Sequence, residues 1–187
     1  MFILRAIYAF FIDTIQTFLL AASVFLVIYI FVFRPFQVNG ASMYPNFVDG
    51  EHVLTNLISI RFENPKKGEV IVFKAPRDEE KDFIKRVIGT PGDTVSVKNG
   101  DVYVDNEKLD QSGFLKDDIK TYSGSFLREG ETITVPQDKY FVMGDNRPYS
   151  SDSREWGFVT KKEIIGQSLF VYWPFNKMRV IKNPFEK

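Results

Sequence analysis

TVSVKNGDVYVD, residues 94–105, decides the fold class. Two runs of alternating apolar and polar residues flank Asn99-Gly100, the kind of dipeptide that supplies the two positive φ angles of a type I′ turn. The stretch therefore predicts an antiparallel hairpin. Working outward, EVIVF (69–73), DFIKRVI (82–88), ETITV (131–135), KYFVM (139–143) and SLFVYW (168–173) are rich in β-branched and aromatic residues and are bounded by turn formers. Beyond residue 34 no comparable 3.6-residue period occurs, apart from a short turn near Lys161–Ile165. Residues 34–187 thus predict one mainly antiparallel β domain, long enough to bury its own core. Within it the polar stretch 106–130, which holds Gly113, Gly124 and Gly130, reads as a surface excursion.

Toward the amino terminus the pattern changes. The chain of 187 residues has 24 basic and 24 acidic side chains, yet residues 1–33 hold only Arg5 and Asp13. TIQTFLLAASVFLVIYIFVF (14–33) carries no charge, and a helix of that length spans about 30 Å, the thickness of a bilayer core. A cleavable signal peptide shares the basic start and the apolar run. This run is longer than usual, however, and Val38-Asn39-Gly40-Ala41 makes a poor small-residue cleavage site. We read 14–33 as an uncleaved single-pass transmembrane helix, with 1–13 extending it or lying along the membrane interface. Arg5 on one side against Arg34 on the other leaves the orientation open.

Composition removes several chemistries. Without Cys there is no disulfide framework, thiol nucleophile or Cys-ligated zinc. One His cannot build a His-based metal site, and it leaves a Ser-His-Asp triad only if His52 is the base, for which no carboxylate orienter stands out. The run Asp78-Glu79-Glu80 and the pair Asp117-Asp118 lack the spacing of a Ca²⁺ loop and read as solvated charges. No metal and no cofactor is expected. A net charge of zero argues against nucleic acid as a partner.

Three stretches carry chemistry. In NGASMYP (39–45), Ser42 stands eight residues past Arg34, so even a fully extended chain keeps it within about 28 Å of the end of the apolar run. An ordinary turn, with Ser42 bonding its own backbone ahead of Pro45, explains the same residues. The second Gly of a G-x-S-x-G elbow is missing, which excludes an α/β-hydrolase. In DFIKRVIGTPGD (82–93), strand alternation puts Phe83, Lys85 and Val87 on one face and Ile84, Arg86 and Ile88 on the other. Both cation stems can snorkel to water. If Lys85 is buried instead, desolvation lowers its proton affinity and makes it a usable base near neutrality. In GDNRPYSSDSR (144–154), Asp145, Arg147, Asp152 and Arg154 are balanced charges, either a solvated loop or an internal network.

Taken together and in this order, Ser42-Met43 with Pro45, Lys85-Arg86 with the Gly-x-Pro-Gly-Asp turn at 89–93, and Gly144-Asp145-Asn146-Arg147 with Ser150, Asp152, Ser153 and Arg154 resemble the bacterial type I signal peptidases (leader peptidases). Phe36-Gln37-Val38 and KKGEVIVF (66–73) fit as well, so the resemblance covers nearly the whole chain, anchor included. It implies a membrane-bound Ser-Lys endopeptidase that forms an acyl-enzyme, cutting signal peptides from exported preproteins after small residues at positions −3 and −1. Ser42 would be the nucleophile and its N–H an oxyanion donor; Lys85 would be the general base, Ser150 would orient the Lys85 amine, and Asp145, Arg147, Asp152 and Arg154 would support the site. Arg86 would be structural. Phe36, Val38, Phe47, Phe83, Ile84 and Val142 would match substrate pockets, each also readable as plain core. Gly40 replaces the Ser that supplies a second oxyanion donor in proteobacterial members, which points to the Gram-positive type. The resemblance further implies a cytoplasmic amino terminus, a catalytic domain on the extracytoplasmic face, and the bilayer and the export machinery as partners. Two other classes share parts of the pattern. A self-cleaving protein like the LexA repressors would begin with a DNA-binding helical domain, and a membrane-anchored β module would lack activity. Finally, Phe170 to Phe175, with Phe47 and Trp156, read as core strand or as aromatics dipping into the membrane interface.

Overall fold

A computed structural model describes residues 2–76, 78–116 and 118–186, so Asp117 of the second acidic pair lies outside the described residues. Its first element is α1 (Phe2–Phe31), whose stretch Phe2–Tyr29 is long and apolar enough to cross a membrane, its most apolar part not buried against the rest of the protein. Inside it, the hydroxyls of Thr14, Thr17 and Ser23 donate to the carbonyls of Phe10, Asp13 and Leu19 at 2.7, 2.8 and 2.8 Å. Their polarity is thereby returned to the helix backbone, as an apolar surrounding requires. The helix starts well before residue 14 and stops short of residue 33. Pro35 has no N–H and forces the residue before it out of helical geometry, so the chain turns at Val32 and enters β1 (Phe33–Gln37). The junction is tied down, because Leu57 N–H donates to Val32 O at 2.9 Å.

The domain is two antiparallel sheets. The larger takes β1, β2 (His52–Asn56), β3 (Val70–Ala75), β4 (Asp78–Gly89), β9 (Lys139–Met143), β10 (Val159–Thr160), β11 (Ile164–Trp173) and β12 (Arg179–Val180). Its order is β1-β2-β11-β3-β4-β9-β10, with β12 on β11. β1 lies at one edge, where Pro35 costs no ladder bond. The smaller sheet runs β7-β6-β5-β8, from β5 (Thr94–Lys98), β6 (Asp101–Val104), β7 (Glu107–Lys108) and β8 (Thr132–Thr134). Its centre is the hairpin read from sequence: Val95 faces Val104, Val97 faces Val102, and the turn residues Asn99 and Gly100 have φ of 54° and 83°.

Between the sheets, Val95, Val97, Val102 and Val104 pack against Ile88, Phe141 and Met143. Each such side chain removed from water stabilises the fold by roughly 1.5–3 kcal/mol. The stretch 106–130 is only partly a surface excursion, since Phe114, Leu115, Thr121 and Leu127 are buried. These residues are spaced by polar and glycine positions with no period, and periodicity was the sole local signal of burial. A second cluster joins Ile71, Phe73, Val87, Tyr140 and Val142, with Trp156 and Phe83 against it. A third, of Val38, Met43, Phe47, Val53, Val70 and Val171, lies beneath the loop that follows β1. Phe47 is therefore core, and Trp156 packs on Phe73 at 6.0 Å between ring centroids. Trp173 and Phe175 are exposed, but Trp173 pairs with His52, at the opposite end of β2 from Asn56, the partner of Phe33 beside α1. The turn expected near 161–165 is a single 3₁₀ turn, Lys161–Glu163.

Candidate active site

The loop after β1 is pinched at its base. Val38 N–H donates to Glu51 O at 2.7 Å and Gly50 N–H to Val38 O at 2.9 Å. Near its start Gly40 has φ +87° and its N–H donates to Asp49 Oδ1 at 2.6 Å. A Ser at this position would carry backbone strain, and the Gly40 amide is already engaged. Met43, fully buried, anchors the loop into the third cluster and leaves Ser42 half-buried beside β4.

Lys85 and Arg86 are both buried, with 4% and 3% of their surface exposed, so neither stem snorkels. Lys85 Nζ lies 2.8 Å from Ser42 Oγ and donates to Ile84 O at 3.1 Å. The ammonium also sits 5.2 Å from the Phe83 ring centroid. Burial pushes the Lys85 ammonium down to about 8, against the opposing pull of the Asp152 and Asp145 carboxylates. Arg86 takes the other solution. Its Nε and NH2 donate to the two oxygens of Asp145 at 2.8 and 2.7 Å, and NH1 donates to Gly68 O at 2.7 Å. Such a bidentate pair satisfies two buried charges at once.

Asp145 connects the two halves of the site. It also accepts from Asn46 Nδ2 at 2.8 Å, and the next residue, Asn146, donates its backbone N–H to Ser42 O at 2.9 Å. The partner of Asp145 is thus Arg86 from β4 rather than Arg147. Arg147 instead donates through Nε to Gly144 O at 3.1 Å and through NH1 to Thr121 Oγ1 at 2.8 Å, and burial lowers its guanidinium to about 10. Asp152 receives Arg154 Nε and NH2 at 2.8 and 2.7 Å and the Gly144 N–H at 3.0 Å. The charges of 144–154 therefore form an internal network, not a solvated loop.

Ser150 departs from expectation. Among the described residues its buried Oγ has no hydrogen-bond partner, and the polar partners of Lys85 are Ser42 Oγ and the Ile84 carbonyl. Ser150 is nonetheless at the site. A Cβ on Gly144 would meet Ser150 Oγ at 2.2 Å and Ser42 O at 2.4 Å, so only glycine lets the two loops close.

A cleft of about 190 Å³ opens beside the pair, lined by Phe36, Gln37, Val38, Asn39, Ser42, Val53, Val72, Asp82, Phe83, Ile84, Lys85 and Ser151. Of the expected pocket residues, Phe36, Val38, Phe83 and Ile84 line it. Phe47 and Val142 do not, because Phe47 is buried under the loop and Val142 pairs with Val87 and turns into the core. Val53 and Val72 were missed. They face Phe36 and Ile84 across the ladder, so alternation combined with strand register would have found them. His52 packs edge-on against Tyr172 at 5.7 Å between ring centroids. Among the described residues no group of three or more His, Cys, Asp or Glu side chains is arranged to hold a metal ion.

The family profile described as signal peptidase, peptidase S26, matches residues 11–173. The chain belongs to this family. This S26 chain is 34% identical over 177 residues to signal peptidase IB of Staphylococcus aureus, covering 87% of the chain and 91% of that protein. It is 36% identical over 173 residues to signal peptidase I of Bacillus amyloliquefaciens, covering 91% and 92%. A solved signal peptidase I from Enterococcus faecalis aligns with TM-score 0.47 and 29% identity, over 56% of this chain and 97% of the other. The S26 chain is a serine peptidase of the signal peptidase class, built mainly from antiparallel β-sheet behind one apolar amino-terminal helix.

Proposed function

We propose that this S26 peptidase is a membrane-anchored endopeptidase that removes signal peptides from exported preproteins, with Ser42 as nucleophile and Lys85 as general base. The observation that carries the reading is the 2.8 Å approach of Lys85 Nζ to Ser42 Oγ by a lysine that is 4% exposed. A buried amine titrating near 8 is neutral in a useful fraction of molecules at physiological pH, which a lysine at about 10.4 is not.

In the proposed cycle the Ser42 Oγ–H proton passes to Lys85 Nζ as Oγ bonds to the scissile carbonyl carbon. The Ser42 N–H faces the developing oxyanion. Lys85 then gives that proton to the leaving amine as the C–N bond breaks, leaving an ester on Ser42. A water, deprotonated by the neutral Lys85, hydrolyses the ester, and the proton returns to Ser42. The substrate lies extended between β1 and β4, and a cleft of about 190 Å³ suits small side chains at positions −3 and −1. The apolar part of α1, from residue 14 to its end at Phe31, crosses the bilayer, residues 1–13 stay cytoplasmic or interfacial, and the chain from β1 onward forms the extracytoplasmic domain. Asp145, Arg147, Asp152 and Arg154 hold the reacting pair in register, and Ser150 packs against Gly144 next to the Ser42 loop.

The test is cleavage of a purified preprotein by the full-length enzyme in detergent, with amino-terminal sequencing of the product. Loss of cleavage in both Ser42→Ala and Lys85→Ala is expected, as is a cut after a small residue. Full activity in either variant would sink the reading.

A further inference from the structure

Residues 174–186 follow the segment that the family profile matches, 11–173, yet they grip the loop that carries Ser42. We propose that Arg179 is a positioning residue that fixes the Ser42 loop against β4 by clamping Glu51 and Asn46. The inference rests on Ser42 and Lys85 being the reacting pair.

β12 brings Arg179 to the loop by pairing with β11, Arg179 facing Val171 and Val180 facing Phe170. Its NH1 and NH2 donate to Glu51 Oε1 and Oε2 at 2.9 and 2.6 Å, and NH2 also donates to the Asn46 carbonyl. Glu51 is 2% exposed, so its carboxylate is costly to bury without a partner of opposite charge. It closes the loop at both ends, since its carboxylate accepts Val48 N–H at 3.1 Å and its carbonyl accepts Val38 N–H at 2.7 Å. Asn46 carries the grip inward. While Arg179 holds its carbonyl, its side chain donates to Asp145 at 2.8 Å and to Phe114 O at 2.6 Å. Asp145 in turn holds Arg86, the neighbour of Lys85. One guanidinium thereby connects the carboxyl-terminal strand to both members of the pair without touching either, and neither Arg179 nor Glu51 lines the cleft.

Three hydrogen bonds to two acceptor groups need a planar fork, which a lysine ammonium lacks. The tail has other charged contacts that do not reach the loop. The Lys66–Glu186 pair, 3.1 Å long and exposed on both sides, is one of them.

The experiment measures preprotein cleavage by full-length enzyme in detergent across pH, with thermal melts of each variant. In Arg179→Ala, kcat per folded molecule falls roughly 10- to 100-fold while KM stays within about threefold, as expected for misplaced reacting groups beside an intact cleft. The acidic limb of kcat/KM also moves to higher pH, because a loosened loop admits water to Lys85. Arg179→Lys recovers part of kcat and part of the limb, and Glu186→Gln changes neither. An Arg179→Ala enzyme that folds with the parent kcat and limb overturns the proposal, as does one that loses melting temperature alone. Should Arg179→Ala not fold, Arg179→Lys decides: parent kcat in it overturns the clamp, and reduced kcat at unchanged melting temperature supports it. Inactive Ser42→Ala and Lys85→Ala beside an unaffected Arg179→Ala removes only the clamp. Active Ser42→Ala and Lys85→Ala removes the reading beneath it.

Discussion

Lys85 and Arg86 are neighbours on one strand, carry the same charge and are buried to nearly the same degree, at 4% and 3% exposure. They are treated in opposite ways. Arg86 receives a bidentate carboxylate and becomes a brace between β4 and the loop at 144–154. Lys85 receives a hydroxyl and a carbonyl, with no carboxylate in ion-pair contact among the described residues, and its ammonium is lowered to about 8. On the proposed reading, Arg86 becomes a support and Lys85 a base, and the carboxylate that comes with Arg86 is what separates these two neighbours. Strand alternation allows both in consecutive residues because they face opposite sides of the sheet.

The comparison can be broken most severely by giving position 85 the property of position 86. Lys85→Arg keeps the charge but cannot release a proton near neutrality, so preprotein cleavage should fall by about 10³-fold or more, as in Lys85→Ala. Retention of a tenth of the parent rate would refute a lysine base. The next effect comes from stripping Arg86 of its partner. Asp145→Ala leaves a buried guanidinium unpaired and should cost about 3–5 kcal/mol of stability in urea unfolding. A loss below about 1 kcal/mol would show that Arg86 finds water instead.

A smaller effect runs the other way. With its amine lowered from 10.5 to about 8, folded Lys85 binds fewer protons than the unfolded chain between those two values. Stability of the parent therefore rises with pH across that window and is reduced below pH 8. Replacing the amine by a thioether removes the penalty, so Lys85→Met should be inactive yet about 1–3 kcal/mol more stable at pH 7, with a flatter pH dependence of its melting temperature. Equal or lower stability would mean that the folded protein stabilises the ammonium. The mildest test is kinetic. The neutral fraction of Lys85 grows about tenfold between pH 7 and pH 9, and kcat/KM should follow it before levelling off. A limb still rising at the slope of an ordinary lysine beyond pH 9.5 would remove the contrast with an unperturbed amine.

What was legible in the sequence depended on how local the signal was. Asn99-Gly100 specified its hairpin because the turn geometry is written in two adjacent residues. Ser42, Lys85 and the run from Gly144 to Arg154 were legible as motifs; their charged groups are buried, Asp145 pairing with Arg86 and Asp152 with Arg154 while Lys85 and Arg147 bond to hydroxyls and carbonyls. The wiring was not legible. Asp145 was free to pair with Arg147 two residues away, and its pairing with Arg86 instead is set by the β4–β9 register. Asn46 meets Phe114 across 68 residues, and Arg179 meets Glu51 across 128, with no period to announce either contact. Phe47 and Val142 do not line the cleft for a related reason: an apolar residue near a site reads the same whether it faces the cleft or the core, and only its packing partners decide, the loop cluster for Phe47 and the strand partner Val87 for Val142. The bond expected from Ser150 to Lys85 is not made: the Ser150 hydroxyl is buried without a hydrogen-bond partner among the described residues.

The junction after α1 bears on where a cut can fall. A single residue, Val32, separates helix from strand, and its carbonyl is bonded to Leu57 at 2.9 Å. This is a stiff coupling rather than a leash. On the proposed reading, with α1 seated in a bilayer, Ser42 cannot drift far up or down relative to the lipid, and the domain works as a height gauge. A substrate whose own apolar segment is anchored in the same bilayer must then present its scissile bond at that height, whatever its sequence.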